Sequence, residues 1–107
     1  MQVTYDAPPR KVEEILLSIA EENPLVLVEP APRVLFLEFG SDSMSFELRC
    51  WLRDVNFSLS VRSDMNFEIL DRFQKEGVRI PFYGRDAKPG PPAEPTHIIL
   101  ERPPKPA

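Results

Sequence analysis

Few residues in this chain have types that could do chemistry, and their spacing argues against it. His97 is the only histidine, and no second His or Cys stands at metal-ligand spacing from it. Cys50 is the only cysteine, so no intrachain disulfide can form and nothing speaks for an oxidising compartment. Cys50 falls among the apolar positions of a strand pattern. No helix N-terminus or nearby His is evident to lower its pKa, so it reads as a buried structural thiol rather than a nucleophile. Glu13-Glu14 and Glu21-Glu22 have the form of paired carboxylates, but on an exposed helix face such pairs are ordinarily solvating charges. Ser41, Ser43, Ser58 and Ser60 lie in or near loops, and none is framed by a G-x-S-x-G elbow. The four glycines are all isolated, so no phosphate-cradling loop is present. The expectation is a non-enzymatic chain with no catalytic residue, no metal site and no cofactor.

Composition bounds the remaining classes. The 107 residues are the size of one domain, and an apolar share of 42% allows an ordinary core. Thirteen basic residues face 17 acidic ones, for a net charge of −4. The arginines are dispersed among acids, which argues for a mixed solvated surface and against a nucleic-acid partner. Residues 1–15 hold no apolar core of a signal peptide, and no apolar run approaches the roughly 18 residues that span a bilayer. A strand-like run directly after Met1 points to a start placed at a domain edge.

The elements follow from periodicity. Gln2 to Tyr5 is short and β-prone, and Asp6 is a candidate helix cap before Pro8-Pro9. Val12, Ile15, Leu16 and Ile19 recur at i, i+3, i+4, i+7, one apolar stripe of a helix that Asn23-Pro24 ends. Leu25 to Val28, bracketed by Pro24 and Pro30, reads as a docked extended connector. In the next strand, Arg33 to Phe39, Leu35, Leu37 and Phe39 are expected on one side and Val34 and Phe36 on the other. The turn cluster Gly40-Ser41-Asp42-Ser43 makes a hairpin with the cleanest alternation in the chain. There Met44, Phe46, Leu48, Cys50 and Leu52 face one way, with Ser45, Glu47, Arg49, Trp51 and Arg53 opposite. Asp54 to Ser58 is read as a loop. Val61, Met65, Ile69 and Phe73 mark a second helix ending near Glu76. Gly77 terminates it, and Val78-Arg79-Ile80 is expected as the last strand before Pro81.

The order β-α-β-β-α-β predicts an α+β, ferredoxin-like domain over residues 1–86: a four-stranded antiparallel sheet with two helices on one face. Residues 87–107 form a Pro-rich tail. Within it, 96–102 is a β-prone island that cannot be a stable strand alone. It must pair with the domain's sheet edge, with another copy, or with nothing.

The candidate functional residues are apolar. Trp51 falls on the polar face of the best strand, either covering it beside Arg49 or Arg53 or anchoring a subunit contact. Leu59 and Phe67 lie off the main stripe of the second helix and invite the same reading. The tail island offers Ile98 and Leu100. These five are the candidate subunit interface.

At this point the wording of the chain carries a family. Val3-Thr4-Tyr5-Asp6, Lys11-Val12-Glu13-Glu14-Ile15-Leu16-Leu17, Glu29-Pro30-Ala31-Pro32-Arg33-Val34 and Phe39-Gly40-Ser41-Asp42-Ser43-Met44 come in order. Leu48-Arg49-Cys50-Trp51, Val61-Arg62-Ser63 and Gly77-Val78-Arg79-Ile80-Pro81-Phe82 follow. Together, over residues 2–86, they resemble the C-terminal cytoplasmic α/β domain of the small-conductance mechanosensitive channel (MscS) family. The resemblance implies a plasma (inner) membrane protein with this domain on the cytoplasmic side, joined to the membrane only through segments absent from this chain. It implies a homo-oligomer, a heptamer, whose domains build a cytoplasmic cage under a pore that releases ions and osmolytes on hypo-osmotic shock. The chain departs from the family where Pro81-Phe82-Tyr83-Gly84 stands in place of Pro-Phe-Pro-Gln. It departs again where Pro89 to Pro95 precede the island that would close a small barrel.

Two other readings stay open at the level of sequence. One is a stand-alone ferredoxin-like regulatory domain that binds a small ligand or dimerises. The other is an acylphosphatase-like hydrolase, ranked last because Tyr5-Asp6-Ala7-Pro8-Pro9 puts an acid and prolines where a phosphate would need N–H donors. The fold alone does not choose among them.

Overall fold

Strand β3 (Ser43–Trp51) is the axis of the molecule, because every other strand hydrogen-bonds to it. The structure is a computed structural model and describes residues 1–80 and 98–104. Around β3 stand β1 (Gln2–Thr4), α1 (Pro9–Glu22), β2 (Arg33–Phe39), a 3-10 turn (Val55–Phe57), α2 (Ser58–Glu76) and β4 (Ile98–Glu101). β2 runs antiparallel along one edge of β3. The other edge is shared end to end: β1 pairs antiparallel with residues 43–45, and β4 pairs in parallel with residues 48–51. Met1 closes the β1 section, accepting from Phe46 N at 2.7 Å while its amino group donates to Phe46 O at 2.8 Å.

The expected alternation of β3 holds. Met44, Phe46, Leu48, Cys50 and Leu52 are buried. They meet the stripes Val12, Ile15, Leu16, Ile19 of α1 and Val61, Met65, Ile69, Phe73 of α2 in one core. Both stripes are those the spacing predicts, and the α+β class is as expected. Pro9 opens α1 at a position where a missing N–H costs nothing. The connector docks as expected: Val26 bridges Leu52, and Leu27 N donates to Trp51 O at 2.8 Å.

Four features differ from the sequence reading. Asp6 does not cap α1. Its N-cap is Pro8, and the Asp6 carboxylate accepts from the Thr4 hydroxyl, which holds it below its ordinary pKa. Asp54 to Ser58 is more than a loop: Asp54 Oδ1 accepts from Asn56 N at 2.9 Å, capping the 3-10 turn that leads into α2 at Ser58. In β2 the pairing shifts between Phe36 and Glu38, so Leu37 is bulged out. The extra residue reverses the faces. Phe39 therefore pairs with Met44, on the side of Val34 and Phe36 rather than that of Leu35.

The fourth difference is the last strand. Val78-Arg79-Ile80 has no strand assignment. It lies outside β1, where a ferredoxin-like sheet keeps its fourth strand, but makes only one backbone bond there, Thr4 N to Arg79 O at 2.9 Å. The fourth strand is the tail island instead, seated in parallel on β3 with Ile98 opposite Leu48 and Leu100 opposite Cys50. Arg62 of α2 donates to Ile98 O and fastens β4 from the helix side. The readings that concern Pro81 to His97 and residues 105–107 lie outside the described residues, as does the boundary at residue 86.

The end of α2 is tightly specified. Gly77 has φ +74°, and its N–H donates to Gln74 O at 3.4 Å while Val78 N donates to Phe73 O at 2.8 Å. This is the Schellman pattern, and the buried Val78 and Phe73 share the core beneath it. A Cβ at Gly77 would meet no atom within 4 Å, so a substitution is penalised by backbone conformation alone. Gly77→Ala is expected to destabilise the domain by about 1 kcal/mol and to lower Tm by roughly 4–8 °C, with Gly77→Asn milder. Thermal unfolding followed by circular dichroism checks both.

Candidate subunit interface

Several of the groups that sequence singled out for chemistry are occupied structurally. Cys50 is sealed in the core, and burial pushes its thiol up to about 12. Glu13 pairs with Arg10 at 3.0 Å. Glu22 accepts from Ser18 Oγ at 2.9 Å and from Arg72. Ser43 is buried and donates to Gln2 Oε1 at 3.4 Å, and Ser60 donates to Phe57 O at 3.1 Å. Among the described residues, no group of three or more His, Cys, Asp or Glu side chains comes together. His97 lies outside them.

The helices are locked to each other by charge as well as by packing. Arg72 of α2 is the hub, reaching Glu22 and Ser18 of α1 and, at 3.2 Å, Glu68 of its own helix. Lys11 and Glu76 close the other end at 2.7 Å. The two helices therefore run antiparallel and present a fixed pair of outer surfaces.

The outer surface of α2 carries two of the apolar candidates. Leu59 is 79% exposed and Phe67 74%, both on the outer side of α2. Trp51 is half-buried on the sheet face away from the helices. There Arg49 is engaged by Glu47 at 2.7 Å and Glu101 at 3.1 Å. Leu100 is half-buried and packs against the core. Ile98 is only 1% exposed and fills the core opposite Leu48, so its side chain has nothing to offer a neighbouring subunit.

Sequence reasoning missed two further pieces. Leu70, 53% exposed, joins Leu59 and Phe67 on α2; its i+3 spacing from Phe67 was the available signal. The second piece is an aromatic edge at β2. Phe36 stacks at 4.9 Å on both Phe39 and Phe46, yet Phe39 stays 79% exposed. Beside it, Pro9, Arg10 and Glu13 of α1 and Val34, Phe36 and Phe46 line a groove of about 340 Å³. Only the bulge at Leu37 brings Phe39 to this side, and a bulge leaves no mark in an isolated strand sequence.

Two predictions test this electrostatic and burial scheme. The Cys50 thiol should resist alkylation at pH 8 in the folded protein and react fully in denaturant, as a thiol assay would show. Hydrogen bonds from Arg72, then Ser18, hold the Glu22 carboxyl below its ordinary 4.5, and Lys11 does the same for Glu76. A lowered carboxyl favours the folded state above pH 4.5, and that contribution is lost as pH falls through the lower folded value. Stability should therefore hold from pH 7 down to about 5 and decline below it, with a shallower decline in Arg72→Ala; denaturant melts across pH check this.

Comparison with known proteins identifies this arrangement. The family model described as "Mechanosensitive ion channel MscS, C-terminal" matches residues 1–80. The chain is similar to the small-conductance mechanosensitive channel MscMJ of Methanocaldococcus jannaschii, 32% identical over 85 residues that cover 75% of this chain and 24% of the relative. It is similar to the miniconductance mechanosensitive channel MscM of Escherichia coli, 32% identical over 77 residues, 72% of this chain and 7% of the relative. It is 40% identical to the mechanosensitive channel MscK of Escherichia coli over 53 residues, half of this chain and 5% of that one. The chain thus spans at most a quarter of the length of these relatives, and no helix among its described residues is long and apolar enough to cross a membrane. A match that runs from β1 through the close of α2, over every helix and strand described above except β4, places this chain in the MscS mechanosensitive channel family, as its C-terminal domain.

Proposed function

We propose that this chain is the cytoplasmic assembly domain of a mechanosensitive channel, helping to build the cage beneath a pore that releases ions and osmolytes on hypo-osmotic shock. The observation that carries the reading is the family match over residues 1–80, which covers β1, α1, β2, β3 and α2 in one continuous stretch. The domain's part is structural, not catalytic. Its exposed side chains of consequence are apolar, the chemistry of a subunit contact rather than of a reaction. Trp51, Leu59, Phe67 and Leu100 belong to this proposal as contact residues. The oligomer is a heptamer attached to the inner membrane through segments other than these.

The test begins with the native gene. Two or more apolar spans of about 20 residues upstream of the Met1 codon, followed by a β-rich segment, are expected. A stop codon directly upstream would overturn the reading and leave a small ligand-binding or dimerising domain. With the spans present, the full-length protein in a channel-deficient host should show suction-activated currents under patch clamp and raise survival of osmotic downshock.

A further inference from the structure

The seat that β4 occupies on β3 is built without β4. From Leu48 to Leu52, β3 is held along its other edge. Val34 and Arg33 pair there with Leu48 and Arg49, and the connector holds Trp51 and Leu52 through Leu27 and Val26. Beside the seat, α2 is locked to α1 by Arg72 and by the Lys11–Glu76 pair. β4 begins only at Ile98, beyond the stretch 1–80 that the family model matches. A sheet edge backed in this way can take up an added strand, main-chain bonds giving affinity and alternate side chains specificity.

The seat reads its strand at several points. Ile98 enters the core opposite Leu48, where it is 1% exposed, and Leu100 packs against the core opposite Cys50. Arg62 of α2 donates to Ile98 O, a contact with the strand's backbone. At the other end Arg49 meets the Glu101 carboxylate at 3.1 Å, and Leu52 N donates to Glu101 O at 2.9 Å. The pattern these contacts ask for is aliphatic, any residue, aliphatic, acidic.

We propose that β4 is an exchangeable strand, and that its seat on β3 also accepts β4 from a second copy of this chain. The same segment fills the seat in this fold, so β4 of another copy satisfies every contact equally, the condition for strand swapping. While β4 is seated, Ile98 presents no surface to a neighbour. Exchange works by moving the whole strand, which carries Ile98 into the neighbour's core. The inference stands on β3, β4 and Arg62 and is independent of the channel reading.

The test uses the whole 107-residue chain in a Cys50→Ala background with a native circular dichroism spectrum. Arg49 and Ile99 are register partners across β3 and β4. Arg49→Cys is placed in one copy and Ile99→Cys in another, distinguished by mass tags. A tethered strand competes at a millimolar effective concentration, so the copies are mixed at about 1 mM and oxidised slowly. The mixed disulfide dimer should exceed both like pairs. Adding Ile98→Asp to the Ile99→Cys copy should cut it by about tenfold or more, since a charge cannot enter the core slot. Both cysteines in one chain, as a control, should close an intrachain bridge. As a second readout on the unaltered chain, hydrogen exchange should show the β4 amides and Leu52 N–H opening together. They should open about a hundredfold more often than the β2–β3 ladder. A bridge that closes within one chain but not between copies would overturn the proposal. So would β4 amides that exchange only when the whole sheet does.

Discussion

Everything in this domain depends on β3 being hydrogen-bonded on both edges. A strand of nine residues is long for so small a protein, and its inner residues form the floor on which both helices pack. β1, with three residues, and β4, with four, are each too short to persist as isolated pairs. They hold because they line up along one edge of β3, while the seven residues of β2 cover the other. The helices then do two jobs: their stripes close the core, and the Arg72 hub with the Lys11–Glu76 pair fixes how the outer surfaces face. The candidate contact surfaces are therefore by-products of a core that specifies its own geometry.

Much of this was legible from residue order because the signals were local and repeated. β3 alternates over ten residues, and the helix stripes recur every three or four, so one misplaced residue does not hide them. The end of α2 was legible for another reason: Gly77 takes a backbone conformation that other residues resist, and the chain shows it by using glycine there. What escaped was set by partners rather than by pattern. The bulge at Leu37 exists only in relation to β3, and its effect, moving Phe39 to the helix side, reverses the faces read from simple alternation. The fourth strand escaped similarly. Val78-Arg79-Ile80 and Ile98-Ile99-Leu100 are both short and β-prone, and the second is the one seated, on the length of the β3 edge left free beyond β1.

The candidate site was legible in part. Leu59 and Phe67 declared themselves by falling off the buried stripe, and the structure leaves them exposed. Ile98 was misplaced by the same logic, because a β-prone island between prolines resembles a segment waiting for a partner. In the fold its partner is the chain's own central strand, and its side chain is consumed there. The difference is one of competition: an apolar residue near an unfilled core is drawn inward before any neighbour can use it.

The bulge has one more consequence. Among the described residues β2 is an edge strand of the sheet with one side unpaired, with Leu35, Phe36 and Leu37 in succession, the sort of strand that templates runaway pairing into fibrils. An extra residue at Leu37 breaks the even spacing of N–H and C=O groups, and Arg33 and Glu38 set a charge before and after the apolar run. A foreign strand laid along this edge would lose register halfway. The domain can thus offer hydrophobic side chains outward while withholding its backbone, which keeps a sticky surface from becoming an aggregating one.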